Sequence, residues 1–194
     1  IKNKEFPSYF KTDKFSILHA GNLMKQRSPK ALLEGFLLFL KNNPEAKEKA
    51  KLYIIGPAQF HEELLETYKS EQNIYIENAS IPFDEIYNLQ MNVNVNVILE
   101  SKAEISPFLP AKFPHCIDAK KSILLLSPYY SETRRLLGDN YPFWSEVDDV
   151  EKIAELIQKL YFERHSENET IDFTKLKSYL GNNFFKNTLL NLKR

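Results

Sequence analysis

The 194-residue sequence has little of several features that mark particular protein classes. Its single cysteine, Cys116, excludes an intrachain disulfide and favours a reducing compartment. Lys plus Arg and Asp plus Glu both number 26, so the basic excess that is typical of nucleic-acid-binding modules is absent. No apolar run reaches the roughly 18 residues that a membrane-spanning helix requires. Since 43% of the residues are hydrophobic and 27% are charged, the composition indicates a globular protein.

Motifs for bound cofactors and metals are also missing from the sequence. The five glycines form neither the G-x-G-x-x-G fingerprint of dinucleotide binding nor the G-x-x-x-x-G-K-[ST] phosphate loop. The four histidines and one cysteine have no spacing that suits a metal site. His19 lies within a predicted strand, where we expect a core histidine with satisfied hydrogen bonds rather than a ligand. The sequence therefore predicts no metal and no resident cofactor.

Short apolar runs that are typical of buried strands alternate with helical patterns along the chain. The predicted strands are 15–20, 51–56, 74–76, 93–99, 122–126 and 141–144. The predicted helices are 31–40, 60–69, 82–91, 110–121 and 150–162. This alternation predicts an α/β domain, a Rossmann-like doubly wound parallel sheet of about six strands with helices on both faces. Ligands of such sheets bind beyond the carboxyl ends of the strands.

The chain is expected to divide into three segments. Residues 1–14 are polar and Lys-rich and are predicted as a linker or ragged N-terminus. Residues 15–170 form the predicted α/β domain, and residues 171–194 are predicted as C-terminal helices. Because the chain begins with Ile1 rather than Met and shows no signal-peptide pattern, we expect it to be a fragment of a longer protein.

The loop after the first predicted strand places three cations near a predicted helix start. Lys25, Arg27 and Lys30 lie there, and no acidic residue occurs between Asp13 and Glu34. Cations at a helix N-terminus oppose the helix dipole. A bound phosphate would remove this conflict, because backbone N–H groups and side-chain cations would converge on one anion. A solvated loop in a Lys-rich protein explains the same residues equally well.

A second loop, 100–112, follows the strand predicted over 93–99 and ends with Lys112 at another predicted helix start. Taken alone, this loop is best explained as a proline-stiffened connection in which Phe108 fills the core. Two cationic helix starts at the carboxyl edge of one sheet nevertheless suggest a ligand with two phosphates.

Both loops lie in stretches that resemble the C-terminal half of GT-B glycosyltransferases, in particular family 4. These stretches read HAGNLMKQRSPKALLEGF, KLYIIGPA and EISPFLPAKFPHCIDAKKSILLLSP. The family has a Gly-Arg-Leu loop with a Lys a few residues on, and later a Glu-x7-Glu motif at a helix start. The resemblance covers about residues 15–162. It implies a UDP-, GDP- or ADP-sugar donor and no cofactor.

The resemblance implies a role for each residue that matches the family's motifs. Gly21 matches the loop glycine, Asn22 stands where the family has Arg, and Arg27 replaces the family's Lys. Glu104 matches the first Glu of the Glu-x7-Glu motif, near the transferred sugar, and Lys112 replaces the second. Glu104, Arg27 and Lys112 are therefore the predicted catalytic residues, with the two cations stabilising the departing diphosphate.

Further residues are predicted by the same resemblance to hold the donor. Ser106, Phe108 and Leu109 would present backbone N–H groups to the phosphates and the sugar. The stretch 78–81 and the loop after Gly56 would lie beside the base. The complete set of predicted donor-binding residues is Gly21, Asn22, Lys25, Arg27, Gly56, Asn78, Ile81, Ser106, Phe108, Leu109 and Lys112.

The resemblance thus implies the nucleotide-sugar-binding domain of a glycosyltransferase that moves a sugar from an NDP-sugar to an acceptor with retention. It points to bacterial polysaccharide or glycolipid biosynthesis in the cytoplasm, with peripheral membrane association as an option and no nucleic-acid partner. Residues 171–194 would dock on an absent N-terminal acceptor domain, without which the fragment is expected to be inactive. Two alternatives stay open: a degenerate nucleotide-binding or interaction module, and an enzyme that resembles nucleotide-sugar 2-epimerases.

Overall fold

The computed structural model describes residues 5–164 and 173–181. The strands within these residues are β1 (Phe15–Ala20), β2 (Ala50–Ile55), β3 (Ile74–Glu77), β4 (Val95–Leu99), β5 (Ile105–Ser106), β6 (Ser122–Leu126), β7 (Tyr130–Ser131) and β8 (Trp144–Ser145). Six of them form a parallel sheet in the order β3-β2-β1-β4-β6-β8. The other two, β5 and β7, pair with each other in parallel.

Helices connect these strands and cover the sheet. They are α1 (Lys30–Asn42), α2 (Glu62–Glu66), α3 (Phe83–Asn92), α4 (Phe113–Ala119), α5 (Glu132–Leu137), α6 (Val150–Glu163) and α7 (Thr174–Tyr179), with a 3-10 turn at Pro44–Ala46. Helix α1 packs against α6, and α4 packs against both α3 and α7. The predicted Rossmann-like α/β fold with a six-stranded parallel sheet is therefore confirmed.

The central strands form because most of their side chains are apolar on both faces of the sheet, with Ser16, His19 and Asn96 as the buried polar exceptions in β1 and β4. All residues of β1 and β4 are buried, and so are all but the first residue of β6. A buried Leu, Ile or Phe side chain contributes about 1.5–3 kcal/mol relative to an exposed one. Continuous apolar strands of this kind are typical of parallel sheets that are covered on both sides.

The order of the strands determines where a ligand can bind. β1 lies between β2 and β4, so the chain proceeds outward from β1 in one direction first and in the other direction afterwards. This reversal separates the loop that follows β1 from the loop that follows β4 at the carboxyl edge. Ligands of open α/β sheets bind in the crevice that such a switch point leaves.

Several elements differ from the sequence-based prediction. The helix predicted over 60–69 is limited to Glu62–Glu66, and the strand predicted over 141–144 is replaced by Trp144–Ser145. The elements β5, β7 and α5 were not predicted, because two-residue strands and a six-residue helix are too short to show a hydrophobic period. Pro114 lies in the first turn of α4, where its missing N–H costs no helical hydrogen bond.

Both terminal segments pack on the domain where they are described. Phe10 is buried, and the ring of Tyr9 stacks on that of Tyr75 with 4.2 Å between centroids. The aromatic residues Phe6, Tyr9 and Phe10 therefore pack on the sheet, whereas residues 11–13 are exposed. Helix α7 packs on α4, and the remainder of the C-terminal helices predicted over 171–194 lies outside the described residues. The division into domains stays a prediction.

Candidate functional site

The loops after β1 and β2 are held together by backbone contacts at the carboxyl edge. Gly21 N–H donates to Ile55 O at 2.9 Å, and Leu23 N–H donates to Pro57 O at 2.8 Å. Gly56 has φ +134°, and a Cβ built on it would lie 2.4 Å from the carbonyl oxygen of Gly21. The two loops can approach this closely only because residue 56 has no side chain.

This contact positions the β1 loop beside the start of α4, where two of the predicted cations meet. A Cβ on Gly21 would lie 4.0 Å from Nζ of Lys112, the residue that precedes the first turn of α4. Arg27 Nη1 donates to Asn22 O at 3.2 Å, which holds the guanidinium over the loop. Burial lowers the pKa of Lys112 to about 8; the Cys116 thiol opposes this shift and the positive charge of Arg27 adds to it. The repulsion between two half-buried cations would be relieved by an anion.

Buried polar atoms without a hydrogen-bond partner are concentrated around these cations. Six such side-chain atoms occur in the described residues, and four of them belong to His19, Arg27 and Glu100. They are both ring nitrogens of His19, Nε of Arg27 and Oε2 of Glu100. Burial lowers the pKa of Arg27, while the negative charge of Glu100 opposes that shift. Because native proteins leave few buried polar groups unpaired, this concentration is typical of a place where a ligand binds.

The hydrogen bonding of His19 differs from the expectation. The residue is 1% exposed, as a core position requires, but its ring is not satisfied by any described residue. The expectation of a satisfied core histidine was therefore wrong. The reason lies in the register of the sheet, where His19 is aligned with the apolar Ile54 of β2, which offers no side-chain partner.

Glu100 was not predicted as a functional residue. It follows β4 directly, is 2% exposed, and accepts a hydrogen bond at Oε1 from Ser131 Oγ at 2.9 Å. Ser131 also accepts from the backbone N–H of Arg134 and so caps α5. Glu100 lines a cavity of about 300 Å³, whose other lining residues are Gln26, Ser28, Lys30, Ala31, Glu34, Lys102, Val147, Asp148 and Val150. Sequence reasoning could have selected Glu100 because it directly follows a central strand, and ligands of such sheets bind at the carboxyl edge.

In the loop 100–112, the residues that were predicted to hold the donor lie apart from one another. Glu104 is exposed, and Phe108 is 80% exposed, so the interpretation of Phe108 as a core residue was wrong. Ser106 lies in β5 opposite Ser131 of β7, which places its backbone in a strand pair rather than in a free loop. Leu109 packs against the main hydrophobic core and thereby anchors the segment before α4.

The residues predicted beside the base lie at the ends of β2 and β3. Asn78 accepts from Ala58 N–H at 2.6 Å and donates to Glu62 Oε1 at 3.2 Å, so its side chain is used to join two loops. Ile81 packs against the smaller hydrophobic cluster near α3. The structure therefore brings together Gly21, Asn22, Arg27, Gly56 and Lys112. Lys25 belongs to the same loop but is exposed, and the other predicted residues lie in the loops after β3 and β4.

Residues 5–164 and 173–181 contain no group of three or more His, Cys, Asp or Glu side chains that could hold a metal ion. No helix in the described part of the chain is long and apolar enough to cross a membrane.

Comparisons with known proteins give structural matches only, since no family model and no curated protein matches the sequence. A UDP-forming α,α-trehalose-phosphate synthase from Burkholderia xenovorans, in complex with glucose-6-phosphate, has a TM-score of 0.64 at 12% identity. That match covers 94% of this chain and 44% of the other. The N-terminal domain of Candida albicans trehalose-6-phosphate phosphatase gives a TM-score of 0.63 at 16% identity, over 86% of this chain and 36% of the other.

A variant of S. aureus TarM, in complex with fondaparinux, α-GlcNAc-glycerol and UDP, has a TM-score of 0.60 at 15% identity. It covers 82% of this chain and 31% of the other. The chain thus spans less than half the length of these structures. Their likeness supports the GT-B-type fold and does not single out family 4, so the chain has the fold of a GT-B glycosyltransferase domain.

Proposed function

We propose that this chain is the donor-binding domain of a glycosyltransferase and binds the diphosphate of a nucleotide sugar at the carboxyl edge of β1. The observation that carries the proposal is the meeting of Arg27 and Lys112 beside the backbone of Gly21. Strongly perturbed charged groups that lie in a crevice are candidates for a functional site. The proposal is supported by the position of both cations at the carboxyl edge, where the ligands of open α/β sheets bind.

The chemistry of the two cations fits the departure of a diphosphate. When a glycosidic bond to the donor phosphate breaks, negative charge develops on the leaving diphosphate. Lys112 and Arg27 are already desolvated, so their attraction to that charge is stronger than it would be in water. The domain would therefore supply leaving-group stabilisation, while a separate N-terminal domain would bind the acceptor.

The comparisons support the class of donor and the larger assembly. The matched trehalose-phosphate synthase is described as UDP-forming, and the TarM complex contains UDP. By analogy, we propose a UDP-, GDP- or ADP-sugar donor, with Glu104 near the transferred sugar and retention at the anomeric carbon. Family 4 membership, a role in bacterial polysaccharide or glycolipid synthesis, a cytoplasmic location and peripheral membrane association are parts of the same proposal.

A thermal-shift titration with UDP, GDP and ADP tests whether the domain binds a nucleotide. One of the three is expected to raise Tm, because a ligand that binds only the native state stabilises it by about 2.7 kcal/mol at a hundredfold excess over Kd. The matching nucleoside, which has no phosphate, serves as the control and is expected to leave Tm unchanged. Equal shifts with the nucleoside, or no shift with any of the three, would contradict the proposal.

A further inference from the structure

His19 is a buried titratable group that the proposed function does not use. It is the fifth of the six residues of β1, and only Ala20 separates it from the loop glycine Gly21. Its ring is 1% exposed, and neither nitrogen has a hydrogen-bond partner among the described residues. An imidazole that is removed from water without a partner costs free energy, so a position of this kind calls for an explanation.

The groups that face His19 come from the proposed diphosphate site. Burial lowers the pKa of His19 well below its ordinary value, and the charges of Lys112 and Arg27 lower it further. Glu100 attracts Arg27, and the Cys116 thiol faces Lys112. The imidazole is therefore kept neutral first by its burial, and the two cations that are proposed to receive the diphosphate add to this effect.

We propose that His19 couples proton uptake to diphosphate binding, an inference that rests on the proposed function. The coupling is possible because a buried imidazole without a hydrogen-bond partner lies at the end of β1, beside Lys112 and Arg27. A bound diphosphate offsets the positive charge of both cations, which removes the repulsion that they add to the cost of burial, and its own negative charge favours the imidazolium. The proton then binds a ring nitrogen, and the resulting imidazolium adds a third positive charge to the site.

This coupling has a measurable consequence for affinity. Linkage is reciprocal: if the diphosphate favours the imidazolium, then a lower pH favours the diphosphate. The affinity for a nucleotide sugar is expected to rise by about threefold to tenfold per pH unit as the pH falls from 7.5 to 6, where tenfold is the limit of one fully linked proton. The phosphates of a nucleotide sugar are diesters and do not titrate in this range, so the ligand itself contributes no slope.

The experiment measures Kd by calorimetry between pH 6 and 9 with the UDP-, GDP- or ADP-glucose whose base the thermal-shift titration selects. His19→Gln is expected to keep measurable binding at pH 8 and to lose the rise below pH 7.5. His61→Gln is the matched control, because His61 Nε2 lies 3.0 Å from the carbonyl oxygen of Met24 in the same loop. The rise is read below pH 7.5 because burial lowers the pKa of Lys112 to about 8, so that this residue is already mostly protonated there. The His61→Gln control is expected to keep the rise below pH 7.5.

A direct measurement does not depend on any variant. The ring signals of His19 in the NMR spectrum of the wild-type chain report its protonation. The ring is expected to stay neutral from pH 6 to 8 in the free protein and to titrate in that range in the saturated complex.

Two results would overturn the coupling while leaving the proposed function intact. These are a wild-type slope equal to that of His19→Gln, and an imidazole that stays neutral in a saturated complex. Failure to bind any of the three nucleotide sugars at every pH would overturn the proposed function, and the coupling with it.

Discussion

Gly56→Ala is expected to lower the free energy of unfolding by about 2–6 kcal/mol, since it combines a positive φ with a steric overlap, each of which costs about 1–3 kcal/mol. The overlap is with backbone, because the new Cβ would lie 2.4 Å from the carbonyl oxygen of Gly21. A side chain could rotate away from such a contact, but the β1 loop can relieve it only by moving. That movement would shift Gly21 away from Lys112, so nucleotide affinity is expected to fall as well. Urea denaturation monitored by circular dichroism measures the change in stability.

Gly138→Ala is the matched control for this prediction. Gly138 also has a positive φ, +96°, but a Cβ built there meets nothing within 4 Å. It therefore carries the backbone strain alone, and the substitution is expected to lower the free energy of unfolding by about 1–3 kcal/mol. Equal losses for the two variants would show that the close approach of the β1 and β2 loops does not matter for stability.

Arg27→Ala and Lys112→Ala are each expected to weaken nucleoside diphosphate binding by about tenfold or more, because a hydrogen bond to a charged group contributes about 1.5–3 kcal/mol. Calorimetry with the nucleotide selected by thermal shift measures this loss. Lys112→Ala is not expected to lower Tm at pH 7, because burial disfavours the charge that the substitution removes. A loss of affinity without a loss of Tm would separate ligand binding from folding.

Lys41→Ala is the control for general effects of charge. Lys41 is exposed in the last turn of α1, at the end of the helix opposite the proposed site. Its removal changes the net charge by the same amount as the other two substitutions and is expected to leave Kd unchanged. An equal weakening by all three variants would indicate nonspecific attraction of the anion.

The sequence predicts most of the sheet because its strands are buried on both faces. The strand over Ser122–Leu126 is found with the predicted bounds, since its apolar run begins and ends abruptly. The pairing of Ile105 with Tyr130 could not be predicted in this way. The two strands have only two residues each, and both Ile105 and Tyr130 are exposed. Neither periodicity nor burial of apolar residues therefore marks these strands in the sequence.

The candidate site is predictable only where topology determines it. Arg27 and Lys112 follow strands that are neighbours at the carboxyl edge, so the rule for doubly wound sheets predicts that they meet. The surroundings of His19 and Glu100 depend on tertiary contacts, which composition and residue spacing do not show. Burial of a histidine favours a satisfied side chain, and only the register with Ile54 shows why this ring has no partner there. An acidic residue after a strand is typically solvated, whereas Glu100 is covered and bonded to Ser131.

The location of the bound nucleotide decides whether the diphosphate site lies at the carboxyl edge, between the β1 loop and the start of α4. Backbone amide chemical shifts of the isotope-labelled chain, measured during titration with the stabilising nucleoside diphosphate, show which loops contact the ligand. The largest changes are expected for Gly21, Asn22 and Leu23 after β1 and for Lys112 and Phe113 at the start of α4. Changes confined to the opposite edge of the sheet, around Ala50 and Lys121, would contradict the proposed site even if the nucleotide binds tightly.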